Sequence, residues 1–215
     1  DAPTDAPRDT PGGPAPHEPD PAPGDRPTSG EAYSPFVPRQ AGGVSVLDGV
    51  GRGQPRHVGI VQEVMRRIVS QEGPLSQDRL ILLTARCFGL TRPTFRIPDL
   101  VRVIPTDLIR DPEEGFLWPA ERDPLRWNGF RTWAGTLKER PLEEIPLREI
   151  ANAHAAIARS AMGIEVDELL RQTLRTFNGT RLTDAPRQRL AAALTLAQQL
   201  GQVHVGGGVV TATGG

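Results

Sequence analysis

"LILLTARCFGLTR", Leu80 to Arg92, and "LLRQTLRTFNGTR", Leu169 to Arg181, lie 89 positions apart and share six of thirteen residues. The identities are Leu80/Leu169, Thr84/Thr173, Arg86/Arg175, Phe88/Phe177, Thr91/Thr180 and Arg92/Arg181. Gly89 aligns with Asn178, the two residue types that best tolerate a left-handed backbone. Each stretch therefore reads as the end of a helix and the tight turn that stops it. Phe88 and Phe177 are expected to plug the core beneath that turn. The only cysteine of the chain, Cys87, aligns with Thr176, so the position need not supply a thiolate.

Working outward, each copy sits in the same order of expected elements. Before the first, "VGIVQEVMRRIVSQ" places Ile60, Val61, Val64, Met65, Ile68 and Val69 on one helical face. "EGPLS" breaks that helix, and Ser76 can cap the next by accepting a hydrogen bond from a free first-turn N–H. "PTFRIPDLVRVI" reads as a third helix whose regular part starts only at Pro98, because proline clashes with a preceding helical turn. "DLIRDPEEGFLWP" reads as a hairpin around a Pro-Glu-Glu-Gly turn. Around the second copy, a helix opens at Pro146, another is capped by Thr183 and stopped by Gly201, and "QVHVGGGVVTAT" forms a hairpin about three glycines. Helix, helix, helix, hairpin is the order of a winged-helix unit. The expected fold is mainly α with small β-hairpin wings, a tandem winged-helix repeat behind a disordered N-terminal linker. Residues 1–57 are the linker, 58–124 the first unit, 125–144 a connector and 145–215 the second unit.

Composition explains the linker. Asp1 to Pro38 holds 11 of the 22 prolines and almost no large apolar residues, so it favours extended, solvated conformations. Tyr33, Phe36 and Val37 could anchor its end to a neighbouring surface or simply extend the linker. An opening Asp1 suggests a piece of a longer protein. The 25 basic and 26 acidic residues nearly cancel, unlike the strongly basic balance of a dedicated nucleic-acid binder. One cysteine rules out an internal disulfide framework. No apolar run approaches a membrane span and no secretory signal is visible, so the expected location is cytoplasmic.

Little in the chain points to catalysis. Arg86 and Cys87 are neighbours on a helix and point about 100° apart, so adjacency does not activate the thiol. His17, His57, His154 and His204 are scattered and have no zinc-ligand spacing. Glu113/Glu114 and Glu143/Glu144 read as solvated turn and helix-start carboxylates, and "GVGRG" at Gly49 lacks the context of a phosphate loop. No catalytic residue, cofactor or metal is expected. Two arginine clusters remain, and their DNA-binding candidates are Arg92, Arg96 and Arg102 in the first unit and Arg181, Arg187 and Arg189 in the second. Arginines around a helix–turn–helix can neutralise phosphates and release counterions. Against this, Pro98 and Pro186 disturb the helices that would read bases, and Asp111, Glu113 and Glu114 make the first wing acidic. The alternative is a protein-docking or regulatory module without nucleic-acid contact. Trp118, Trp127 and Trp133 bracket the connection between units, either as a stacking platform for bases or, the favoured reading, as glue between the units.

From Val61 to about Thr213 the chain resembles a C-terminal domain of unknown function in large bacterial proteins that carry a superfamily 1 helicase and a very-short-patch-repair-type endonuclease upstream. The resemblance rests on "EGPLSQDRL", "ARCFGLTR", "GFLWP", "IPLREIANAHAAIARSAMGIEVDELLRQTLRTFNG" and "LGQVHV". It implies that the chain is the non-catalytic tail of an ATP-dependent helicase–nuclease active in antiphage defence or DNA processing. Its partners would then be DNA and the upstream helicase and nuclease domains of the same polypeptide.

Overall fold

The computed structural model describes residues 30–93, 95–135 and 140–213; the expectation of a disordered linker falls for residues 1–29 outside them. For residues 30–57 it is overturned. Among the described residues, strand β1 (Glu31–Ala32) and helix α1 (Val44–Gly51) already precede Val58, where order was expected to start. The cause is long-range: Leu47 and Val50 of α1 are buried in the first core, and Tyr33 is buried as well.

Helix α2 (Pro55–Glu72) starts on a proline, whose missing N–H costs nothing in a first turn. It buries the expected stripe of Val61, Val64, Met65, Ile68 and Val69. Helix α3 (Gln77–Cys87) begins where the Ser76 hydroxyl accepts from the Arg79 N–H at 3.2 Å. Helix α4 (Ile97–Arg102) is only six residues long and carries Pro98 in its first turn. Strands β2 (Ile109–Arg110) and β3 (Leu117–Trp118) form the hairpin, and Leu75 bridges to Leu117 on the other side of β3. Strand β4 (Arg131–Thr132) pairs in parallel with β1.

The second unit repeats this order. Helix α5 (Leu147–Ala161) leads into strand β5 (Ile164–Glu165), helix α6 (Val166–Thr176) and helix α7 (Asp184–Gln199). Strands β6 (Val203–Gly206) and β7 (Val209–Ala212) complete it, in the sheet order β5-β7-β6. Leu75, β3 and β2 have the same relation in the first unit. The 89-residue offset relates the starts of α3 and α6 and the ends of α2 and α5, and carries Leu75 onto Ile164. It fails after the third helix because α4 has six residues and α7 has sixteen. The chain is thus mainly helical with small sheets, as expected; strand β5 and the Leu75 bridge were not anticipated, being too short to show a period of two.

The units are joined through buried charge. Glu149 of α5 is fully buried and accepts from Arg131 at 2.7 Å and Arg140 at 2.7 Å. Arg131 also donates to the carbonyls of Gly73 and Pro74, each at 3.0 Å, just past the negative end of α2. Arg140 lies 4.1 Å from the Tyr33 ring centroid, and the Tyr33 hydroxyl donates to Glu72 at 2.7 Å. Glu72 also pairs with Arg79. One network therefore ties the N-terminal strap, α2, α3, β4 and α5.

The acidic first hairpin belongs to the same joint, which corrects its reading as a set of solvated turn residues. Asp111 accepts from the N–H groups of Glu114 and Gly115 and from Trp118 Nε1, so it shapes the turn from within. Glu113 pairs with Arg148 at 2.7 Å. Glu114 accepts the Leu147 N–H, capping α5, and pairs with Arg189. Glu113 and Glu114 are thus paired with the second unit and Asp111 with its own hairpin. The wing is not a free acidic one, although Glu113 stays at the surface. Glu144 likewise accepts from Ser76 at 2.6 Å.

Candidate nucleic-acid interface

The interface is built from the two repeated turns. Phe88 is the C-cap of α3 and Phe177 that of α6, both fully buried. The next residue is left-handed in each copy: Gly89 at φ 86° and Asn178 at φ 61°. In both, the amide two residues past the phenylalanine returns to the helix, Leu90 N–H to Ala85 and Gly179 N–H to Leu174, the hydrogen-bonded closure of a left-handed C-cap. That geometry carries the chain out of the core and delivers Arg92 and Arg181 to equivalent, exposed places before the third helices.

The six candidate arginines divide. Arg92 and Arg181 are exposed and carry no ion pair among the described residues. Arg96 pairs with Asp48 of α1 and lies 3.7 Å from Asp99. Arg102 reaches Asp99 at 3.1 Å and the Val50 carbonyl at 3.4 Å. Those two arginines lock α4 to α1. Arg187 pairs with Asp167 at 2.7 Å but keeps an exposed edge. Arg189 is committed inward, to Glu114 and to the carbonyls of Leu142 and Ile145, and is part of the joint between units.

The surface arginines of the third helices themselves, Arg102 on α4 and Arg187 on α7, are already paired with Asp99 and Asp167. On and beside α4, Phe95 is 69% exposed, Ile97 41% and Val101 37%. The outer face of α7 shows Gln188, Ala191, Ala192, Thr195 and Gln198. The turn at Gly207 and Gly208, between β6 and β7, carries no cation. An interface of this kind can hold a phosphate at each unit's turn but has few charged groups with which to grip a groove.

The other chemical candidates resolve into structure. Cys87 is 1% exposed, and burial pushes its thiol up against the opposing influence of the Arg39 N–H and the Arg67 charge. That is the setting of an inert, packed cysteine. The equivalent Thr176 donates to the Gln172 carbonyl at 3.0 Å. Trp127 packs edge-on to buried Trp118 at 5.3 Å, and Trp133 edge-on to Tyr33 at 5.3 Å, as side chains that hold elements together do. Among the described residues no cluster of three or more His, Cys, Asp or Glu could hold a metal ion, and no helix is long and apolar enough to cross a membrane.

His154, set aside from the sequence as a scattered histidine, is fully buried. Its ring lies between the Leu190 carbonyl at 3.0 Å and the Thr173 hydroxyl at 2.8 Å, joining α5, α6 and α7. Burial lowers its pKa to about 4, so the neutral ring is the folded form. A histidine titrating near 6.5 when unfolded then contributes stability that is complete above pH 6.5 and is lost as pH falls toward 4. The shift corresponds to roughly 3 kcal/mol. Urea midpoints measured between pH 7 and 4 are expected to fall through that window, and His154→Gln should flatten the slope. An unchanged slope in the variant would assign the acid sensitivity elsewhere.

Sequence reading also missed Glu72, Arg131, Arg140 and Glu149. Glu149 carried a weak signal, a lone acid inside the apolar run of "REIANAHAAIA". Arg131 and Arg140 carried none, since their partners lie far away in the chain. No family model, curated protein or solved structure matches this chain.

Proposed function

We propose that this chain is a non-catalytic module of two tandem winged-helix units that rests on DNA phosphates and does not read bases. It serves as an accessory part of a larger bacterial DNA-processing protein. The observation that carries the reading is the pair Arg92 and Arg181, exposed and without an ion pair among the described residues at equivalent places in both copies, while Arg96, Arg102, Arg187 and Arg189 hold carboxylates. In winged-helix proteins the turn and wing approach the backbone while the third helix enters the major groove. Here the surface arginines of α4 and α7, Arg102 and Arg187, are held by Asp99 and Asp167, and their exposed neighbours are largely apolar or uncharged, so backbone positioning is favoured over direct readout.

The test is fluorescence anisotropy of the full chain with two duplexes of unrelated sequence at low salt. Equal affinity for both is expected, with roughly tenfold weakening in Arg92→Ala plus Arg181→Ala. Undetectable binding, or affinity indifferent to the double variant, would refute direct contact. The apolar cluster of Phe95, Ile97 and Val101 specifically favours a second reading, a protein-docking module without nucleic-acid contact. Such a module would fail the same titration while keeping that face occupied by a partner.

A further inference from the structure

The strap that precedes α1 is pinned at two points and arches between them. The Phe36 N–H donates to Glu72 at 2.6 Å, and the Ala41 N–H donates to the Cys87 carbonyl at 2.8 Å. Beneath the arch lies a cavity of about 320 Å³. Its apolar wall is formed by Phe36 and Val37 of the strap, Val64 of α2 and Cys87 of α3. Its polar side holds Arg39 and Arg67, both exposed and without an ion pair among the described residues. Gln71 completes that side with only a long 3.4 Å contact to the Pro35 carbonyl.

We infer that this cavity is a docking site for an acidic linear peptide of a partner protein, one apolar side chain seated under the strap between flanking carboxylates. Three observations favour that occupant. Two guanidinium groups beside one cavity, without an ion pair among the described residues, complement carboxylates, and arginine binds them with two parallel hydrogen bonds. The space suits one bulky apolar side chain with adjoining backbone, and Val37, 68% exposed, offers apolar surface that such a chain would cover. A DNA backbone would satisfy the arginines but leave that wall uncovered. The chain's own residues 1–29 are acidic, with six acids against two arginines, yet contain no large apolar residue to fill the seat. Neither Arg92 nor Arg181 lines the cavity, and the site does not depend on the DNA reading.

The test uses the full chain and a fluorescein-labelled decapeptide carrying one phenylalanine between runs of aspartate and glutamate. Saturable binding is expected, weakened roughly tenfold by Arg39→Glu plus Arg67→Glu, which removes two charged contacts. A comparable loss is expected when the probe's phenylalanine is replaced by alanine, and in the exposed-site variant Val37→Asp. All three protein positions are solvent-facing, and an unchanged thermal midpoint would confirm that the variants fold. Absence of saturation, or affinity indifferent to both the arginine pair and the probe's phenylalanine, overturns the inference. Displacement of the probe by a synthetic peptide of residues 1–29 or by duplex DNA at equal concentration also overturns it, by naming a different occupant.

Discussion

Glu149→Ala is expected to lower the unfolding free energy by about 3–5 kcal/mol, the loss found when one partner of a buried ion pair is removed. Two guanidinium groups depend on this carboxylate. Arg131 and Arg140 are 5% and 2% exposed, and each reaches Glu149 at 2.7 Å. Burial alone would raise the Glu149 pKa, but the two guanidiniums and their hydrogen bonds outweigh it and hold it at about 2. Its contribution is therefore complete above pH 4.5 and is lost as pH falls toward 2, a window below that of His154. Without the carboxylate, two buried positive charges would lie beside the Tyr33 ring with their shared counter-ion gone. Urea unfolding followed by far-UV circular dichroism and by tryptophan fluorescence checks the expectation. Trp133 packs on Tyr33 within this joint, so the fluorescence transition should precede the dichroism transition in the variant and coincide with it in the parent. A change below 1 kcal/mol would mean that the joint is not held by this network.

Phe88→Ala and Phe177→Ala should each cost about 3–5 kcal/mol, the usual loss for deleting a fully buried aromatic side chain. Each ring closes the core of its unit under the left-handed turn, and both are fully excluded from solvent. The neighbouring change Cys87→Thr makes the control. It copies Thr176, whose hydroxyl is satisfied by the helix carbonyl four residues back, and should cost about 1 kcal/mol or less, as a helix-satisfied hydroxyl of similar size would. Differential scanning calorimetry of the three variants tests the set. Similar losses for the two phenylalanines with a small loss for Cys87→Thr would establish that the repeat is energetic as well as geometric. A large loss at Cys87 alone would assign that residue a role its alignment with Thr176 denies.

How far each part of the molecule could be read in advance follows from the range of the interactions that build it. Helices α2, α3, α5, α6 and α7 carry their own periodicity, and α3 its Ser76 cap, so Val61 to Val69 and Ser76 could be placed from the sequence alone. Thr183, by contrast, stands at the N-cap of α7 without the expected side-chain capping bond. The repeat was visible because Phe88 with Gly89 and Phe177 with Asn178 obey a local backbone rule. The strap and α1 were hidden in proline- and glycine-rich sequence, since Tyr33, Leu47 and Val50 are ordered only by contact with distant elements. The joint was hidden for the same reason: Arg131 meets the end of α2 across 57 and 58 positions of chain. In the candidate interface, sequence reading named six arginines around two turns. It could not separate Arg92 and Arg181 from Arg189, because only the fold brings Glu114 to Arg189.

The salt dependence of duplex binding tests the central claim most directly. Each phosphate neutralised contributes roughly −0.9 to the slope of log K against log salt. Comparison of the parent chain with Arg92→Ala plus Arg181→Ala, from low to physiological salt, should show a slope shallower by roughly 1.8 in the variant. Identical slopes, or no duplex binding by the parent at low salt, would contradict a module that rests on DNA through its two repeated turns.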